Sequence, residues 1–122
     1  MKKGIKILIV EDEEDVTFYL SIVLKELCRD ILFAKNGADA IELAQKNADI
    51  DLILMDINMP EMDGFEATKR IREFNKNIPI IAQTAYALSH DKEKILASGF
   101  DNYISKPFNK NTLLETIKSL NI

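Results

Sequence analysis

The chain carries one cysteine, three prolines, four glycines and one histidine in 122 residues, and each scarcity removes a class of protein. A lone cysteine, Cys28, excludes an internal disulfide framework and suits a reducing compartment, so a cytoplasmic location is expected. Its place in the pattern reads as a small helix residue. No apolar run nears the roughly eighteen residues that a membrane helix needs. The opening MKKGIKILIVEDEED pairs two lysines with an apolar run, but IKILIV is too short for a signal-peptide core and acids follow at once. There is no basic excess either. Sixteen Lys and Arg against twenty Asp and Glu give a net charge of −4, a poor match for direct binding of nucleic acid. Low-complexity segments, linkers and repeats of fixed period are absent from the sequence.

What is present is ordinary for one domain spanning residues 1–122, with 47% hydrophobic and 30% charged residues, enough to bury a core without staples. Ile5 to Val10 is a short β-branched run and reads as a buried strand. Residues 11–27 switch to helical spacing, with Val16, Leu20, Val23, Leu24 and Leu27 on one face and acids in the first turn. Four more pairs follow. Strands are predicted over 30–37, 51–56, 78–85 and 100–107, and helices over 38–47, 63–75, 89–99 and 109–120. Asp63 is a candidate N-cap, Gly99 a candidate C-cap, and Pro79 sits at a strand start where a missing donor is tolerated. Alternation of strand and helix predicts an α/β fold, a doubly wound (βα)5 parallel sheet covered on both faces, with strand order 2-1-3-4-5.

In such sheets ligands gather beyond the carboxyl ends of the strands. The first strand delivers Glu11 and Asp12 there, the third Asp56, the fourth Thr84, the fifth Lys106 followed by Pro107, and the second Lys35 and Asn36 at the edge. Singly, each has a plain structural reading: a helix start, a turn residue, a strand-end hydroxyl, a solvated charge. Together, three acids, a hydroxyl and a cation at one edge point to chemistry. Three clustered carboxylates repel one another unless a cation intervenes. Mg²⁺ suits the need, because it takes one or two carboxylates, keeps waters and adds phosphate oxygens. Lys106 is a point charge for a phosphoryl oxygen, Thr84 a single hydrogen-bond donor, and Asp56 a carboxylate nucleophile able to form an aspartyl phosphate.

The motifs ILIVEDEED, DLILMDINMPEMDGFE, PIIAQTAYA and DNYISKPF, spread over essentially the whole chain, resemble the receiver domain of two-component response regulators. The flavodoxin-like strand order is a property of that family, so it rests on the resemblance as much as on crossover rules. The resemblance implies a phosphorylation-driven signalling switch in which Asp56 takes phosphate from a phosphohistidine and Thr84 and Lys106 assist. It implies Mg²⁺, with Mn²⁺ as a substitute, held by Asp12, Asp56 and the Asn58 carbonyl, with Glu11 acting through water. Tyr103 occupies the aromatic switch position, the Lys106–Pro107 bond is expected to be cis, and Asn58 and Tyr86 flank the phosphoryl site and tune its lifetime. The Tyr86 ring is expected to hinder water. The domain is expected to assist its own phosphorylation and dephosphorylation without being an enzyme in the ordinary sense.

Partners follow from the same resemblance: a sensor histidine kinase or a histidine phosphotransfer domain upstream and an output protein or domain downstream, with no membrane contact by this domain. Phe18 and Ile22 point away from the core stripe of the first helix, with Tyr19 bordering both. With Pro107 and Phe108 they are the expected partner surface. His90 reads as a helix-end surface residue. A Mg²⁺-dependent phosphohydrolase using an aspartyl phosphate is the competing reading, although it wants an acid where Asn58 stands. A degenerate binding module is another, although it predicts loss of Asp56, Thr84 or Lys106. The chain ends at the fifth helix without an output domain, which fits a stand-alone receiver or one excised from a hybrid kinase.

Overall fold

Three apolar runs are buried from end to end. The computed structural model describes residues 4–85 and 89–122, the side chains of 89–91 excepted, and sets β1 (Ile5–Val10), β3 (Leu52–Asp56) and β4 (Ile80–Thr84) inside a five-stranded sheet. The edges are β2 (Cys28–Ala34) and β5 (Asn102–Ser105). Every pairing is parallel and the order is β2-β1-β3-β4-β5, as expected. Parallel strands need covered crossovers, which α1 (Glu14–Leu24), α2 (Gly37–Lys46), α3 (Gly64–Phe74), α4 (Ser89–Ala97) and α5 (Lys110–Lys118) supply. None of these helices is long and apolar enough to cross a membrane.

Strand alternation divides the core into two layers. Leu8, Val10, Ile53, Met55, Ile80 and Ala82 pack with Ala40, Ala44, Ala67, Ile71 and Ile95, the inward residues of α2, α3 and α4. Ile5, Ile7, Ile9, Leu52, Leu54, Ile81 and Ile104 pack with Leu20, Leu24, Leu113 and Ile117 of α1 and α5. Val16, Val23 and Leu27 lie against this second layer, so the predicted stripe of α1 is the buried one.

Helix ends follow local chemistry. Asn36, Asp63 and Asn109 each accept a backbone N–H three residues on, from Asp39 at 2.8 Å, Glu66 at 3.0 Å and Thr112 at 2.9 Å. Gly99, with φ +99°, follows α4 and its carbonyl accepts from Arg72 Nε at 2.9 Å. Arg72 also donates to the Ile78 carbonyl at 2.6 Å and to Asp101 at 2.9 Å, tying α3 to the lower ends of β4 and β5.

The expectation for Cys28 fails. The helix ends at Leu24, Leu27 N–H returns to the Leu24 carbonyl at 3.0 Å, and Cys28 opens β2 opposite Ile5. Burial, with the charge of Asp30, pushes its thiol up to about 11.

Candidate functional site

Strand register brings the predicted residues together. β1 and β3 run in step, with Val10 opposite Met55, so Glu11 and Asp56 leave the sheet side by side. The carboxylate oxygens of Glu11, Asp12 and Asp56 converge to within 4.8 Å of one another. Glu11 and Asp56 are buried and Asp12 is exposed, so the cluster opens to solvent on one side. Thr84 ends β4 and is buried at the same edge.

Lys106 enters from the end of β5, held by its own N–H on the Thr84 carbonyl at 2.7 Å. The following Lys106–Pro107 peptide is cis, as expected. The ammonium donates to Glu11 Oε1 at 2.7 Å and lies 3.7 Å from Asp56 Oδ2. Burial disfavours this ammonium, but the hydrogen bond to Glu11 and the charges of Asp56, Glu11 and Glu13 outweigh it and hold its pKa above the ordinary value. Asp56 is the opposite case. Burial, then the charge of Glu11, raise it to about 7, despite opposing contributions from Lys106 and the Asn58 N–H.

Glu11 does not begin the first helix, which starts at Glu14. It uses Oε2 to accept the Glu13 N–H at 3.1 Å, while Oε1 takes Lys106. The turn after β3 wraps Asp56, with the Asn58 N–H donating to Asp56 Oδ1 at 3.1 Å. Gly64 lets α3 start against this turn. A Cβ there would run into the Asp56 carbonyl oxygen and lie 2.8 Å from the Ile57 Cα. Tyr103 is half-buried against the α2–α4 layer, and the Lys92 ammonium lies 5.6 Å from its ring centroid. Tyr86 and the side chain of His90 lie outside the described residues.

A dication fits this donor set. Burial first, and then the neighbouring Glu11, disfavour the charge on Asp56, which a dication would offset, and the exposed third acid leaves a face open for water and phosphate oxygens.

Around the cluster, α1 presents Phe18, Ile22 and Tyr19 at 68%, 59% and 41% exposure, as its spacing predicted. Phe33 on β2, which the sequence reading missed, is also exposed and lines a cavity of about 370 Å³ with Phe18, Glu11, Asp12 and Lys35. The signal for it was its place near the end of β2, an edge strand with a neighbouring strand on one side only. On the other flank, Tyr19 and Phe108 form a tilted ring pair 6.4 Å apart beside Pro107 and Lys106.

Residues 7–118 match the model of the response regulator receiver domain. The chain belongs to this family. The receiver is 43% identical to part of a hybrid signal transduction histidine kinase I from Dictyostelium discoideum, over 93% of this chain but 7% of that protein. It is 38% identical to the polar-differentiation response regulator DivK of Brucella anthropi, over 93% of both chains. It superposes with a TM-score of 0.84 and 34% identity on the receiver domain of a sensor histidine kinase from Pseudomonas aeruginosa, covering 95% of this chain and 96% of that one. That domain was solved with a magnesium ion coordinated in its active-site cleft. The receiver is therefore a phosphoacceptor signalling domain of two-component systems.

Proposed function

We propose that Asp56 is the phosphoacceptor of this receiver and that phosphohistidine is the donor. The observation that carries this is the position of Asp56: a buried strand-end carboxylate between two further acids and a lysine ammonium 3.7 Å away. An Asp56 oxygen attacks phosphorus, the P–N bond to the donor imidazole breaks as the P–O bond forms, and the imidazole leaves with the bonding pair. Lys106 follows the phosphoryl oxygens as charge gathers on them, and Thr84 donates a hydrogen bond to one of them. Asp12, Asp56 and the Asn58 carbonyl would hold Mg²⁺ (or Mn²⁺), with Glu11 through water; bound there, the ion offsets the charge of the acids and the incoming phosphoryl group.

The same reading assigns the output. Phosphate on Asp56 draws Thr84 toward it and lets Tyr103 turn inward, changing the surface around β4, α4 and β5 that an output partner reads. Asn58 and Tyr86 set how long the phosphate lasts. Upstream, a histidine kinase or histidine phosphotransfer domain lays its helix against Phe18 and Ile22, with Pro107 and Phe108 at the rim, in the cytoplasm. Treatment with acetyl phosphate and Mg²⁺ tests the acceptor: one base-labile phosphate is expected, absent from Asp56→Asn.

A further inference from the structure

Gln83 is fully buried, and neither its amide nitrogen nor its amide oxygen has a hydrogen-bond partner among the described residues. A buried carboxamide with both ends unpaired is costly, and in a native protein it calls for an explanation. Its place in the sheet supplies one. The register sets Gln83 beside Asp56 on β3 and beside Ile104 on β5. Side chains two apart on a strand share a face. Ile9, Leu54, Ile81 and Ile104 share one core layer, so Glu11, Asp56, Gln83 and Lys106 all stand on that face. Glu11, Asp56, Gln83 and Ile104 form a row across the sheet, and Lys106 stands one step above Ile104.

Lys106 must cross that row. It follows β5, yet its ammonium reaches Glu11 just past β1 at 2.7 Å and lies 3.7 Å from Asp56 at the end of β3. Between them is β4, with Gln83 on this face near its end and Ala85 just beyond it. Ala85 offers only a methyl group beside Lys106, in a cavity the two share. The register therefore sets Gln83 on the same face, between the origin of the lysine and the two acids its ammonium meets.

We propose that Gln83 is a positioning residue for Lys106, its amide oxygen being the acceptor the ammonium takes up when a divalent cation occupies the Glu11–Asp12–Asp56 cluster. This rests on the metal-site reading above. A dication among these carboxylates repels the ammonium and competes with it for Glu11. An ammonium has three donors and no acceptor, so it needs a new partner on withdrawal. Gln83 is the polar residue that the register sets between those acids and β5 on this face. The new bond satisfies the buried amide oxygen and keeps Lys106 beside Asp56 instead of releasing it to solvent.

A double-mutant cycle read as Mg²⁺ affinity by titration calorimetry tests this. Gln83→Met keeps the side-chain length and removes both polar atoms. In the wild-type background it weakens Mg²⁺ binding by about tenfold, the size of one hydrogen bond to a charged group. In the Lys106→Met background, which keeps all three carboxylates, it changes binding by less than about twofold. Equal losses in both backgrounds, or no loss in either, overturn the proposal. If Lys106→Met does not fold, the crystal structure of the Mg²⁺-loaded wild type decides. Lys106 Nζ within about 3.2 Å of Gln83 Oε1 is the expected result, and Nζ still on Glu11 or turned to solvent overturns it. A wild type that does not bind Mg²⁺ at all is a different result, which overturns the metal-site reading and this proposal with it.

Discussion

The ammonium of Lys106 lies an ångström closer to Glu11 than to Asp56, at 2.7 Å against 3.7 Å. The acids of the site are thus bridged by a cation that enters from the end of β5. Removing that cation strands Glu11, whose side chain is fully buried. Lys106→Met is expected to destabilise the metal-free protein by about 3 kcal/mol, because breaking a buried pair leaves an uncompensated charge. Millimolar Mg²⁺ should return most of the loss, since the metal replaces the missing positive charge. Thermal unfolding with and without Mg²⁺ reads both effects.

The raised pKa of Asp56 has a definite sign in stability. Its folded value is about 7 against an ordinary 3.8. Below the ordinary value the carboxyl is protonated in both states and contributes nothing. Between the two values the unfolded chain ionises while the folded one keeps its proton, so this group's contribution to stability falls as pH rises toward 7 and stays low above it. Asp56→Asn cannot ionise. The variant is expected to match wild type near pH 4, to unfold at a progressively higher temperature than wild type up to about pH 7, and to keep that lead at pH 8 in chelator. Mg²⁺ should narrow that gap.

Gly64 is required by contact and not by backbone angle. Its missing Cβ leaves room for the Asp56 carbonyl and the Ile57 Cα, both main-chain atoms that cannot step aside. Gly64→Ala is expected to cost about 2 kcal/mol or more and to slow phosphorylation by displacing Asp56. Gly37→Ala is the control. The atoms nearest its Cβ would be those of the Met62 side chain, whose Sδ and Cγ can swing aside although its Cβ at 3.1 Å must shift slightly, so the loss in melting temperature should be smaller and the phosphorylation rate unchanged.

Exposed Phe18 and Ile22 leave the core of α1 intact, because Leu20 and Leu24 carry its buried face. Phe18→Ala with Ile22→Ala is expected to keep the melting temperature within a few degrees. It should slow phosphotransfer from the histidine partner about tenfold or more, while leaving the acetyl phosphate rate unchanged. An unchanged rate from the partner removes this surface from the docking proposal.

Much of this architecture was legible before any coordinates. Runs such as IKILIV and DLILMD are apolar without alternation, which only a strand covered on both faces tolerates, and the register then had to deliver Asp56 beside Glu11. The end of α1 was not legible. Leu27 continues the helical spacing but packs from the turn that precedes β2, so the pattern runs three residues past the helix. Nor was the Lys106–Glu11 pair, because placing both at one edge does not say which acid a flexible lysine prefers across 95 residues of sequence separation. Gln83 left a trace, one amide inside the otherwise apolar PIIAQT, but a single polar residue near a strand end looks like the end of burial. Only side-chain accessibility shows that it is fully covered.

Phosphate mapping bears most directly on the central claim. The purified protein is treated with acetyl phosphate and Mg²⁺, and the modified residue is located by mass spectrometry after borohydride trapping of the acyl phosphate. One phosphoryl group on Asp56, dependent on Mg²⁺ and lost in Asp56→Asn, is the predicted result. Label on another residue, undiminished label in Asp56→Asn, or no label on a folded, Mg²⁺-binding protein would contradict it.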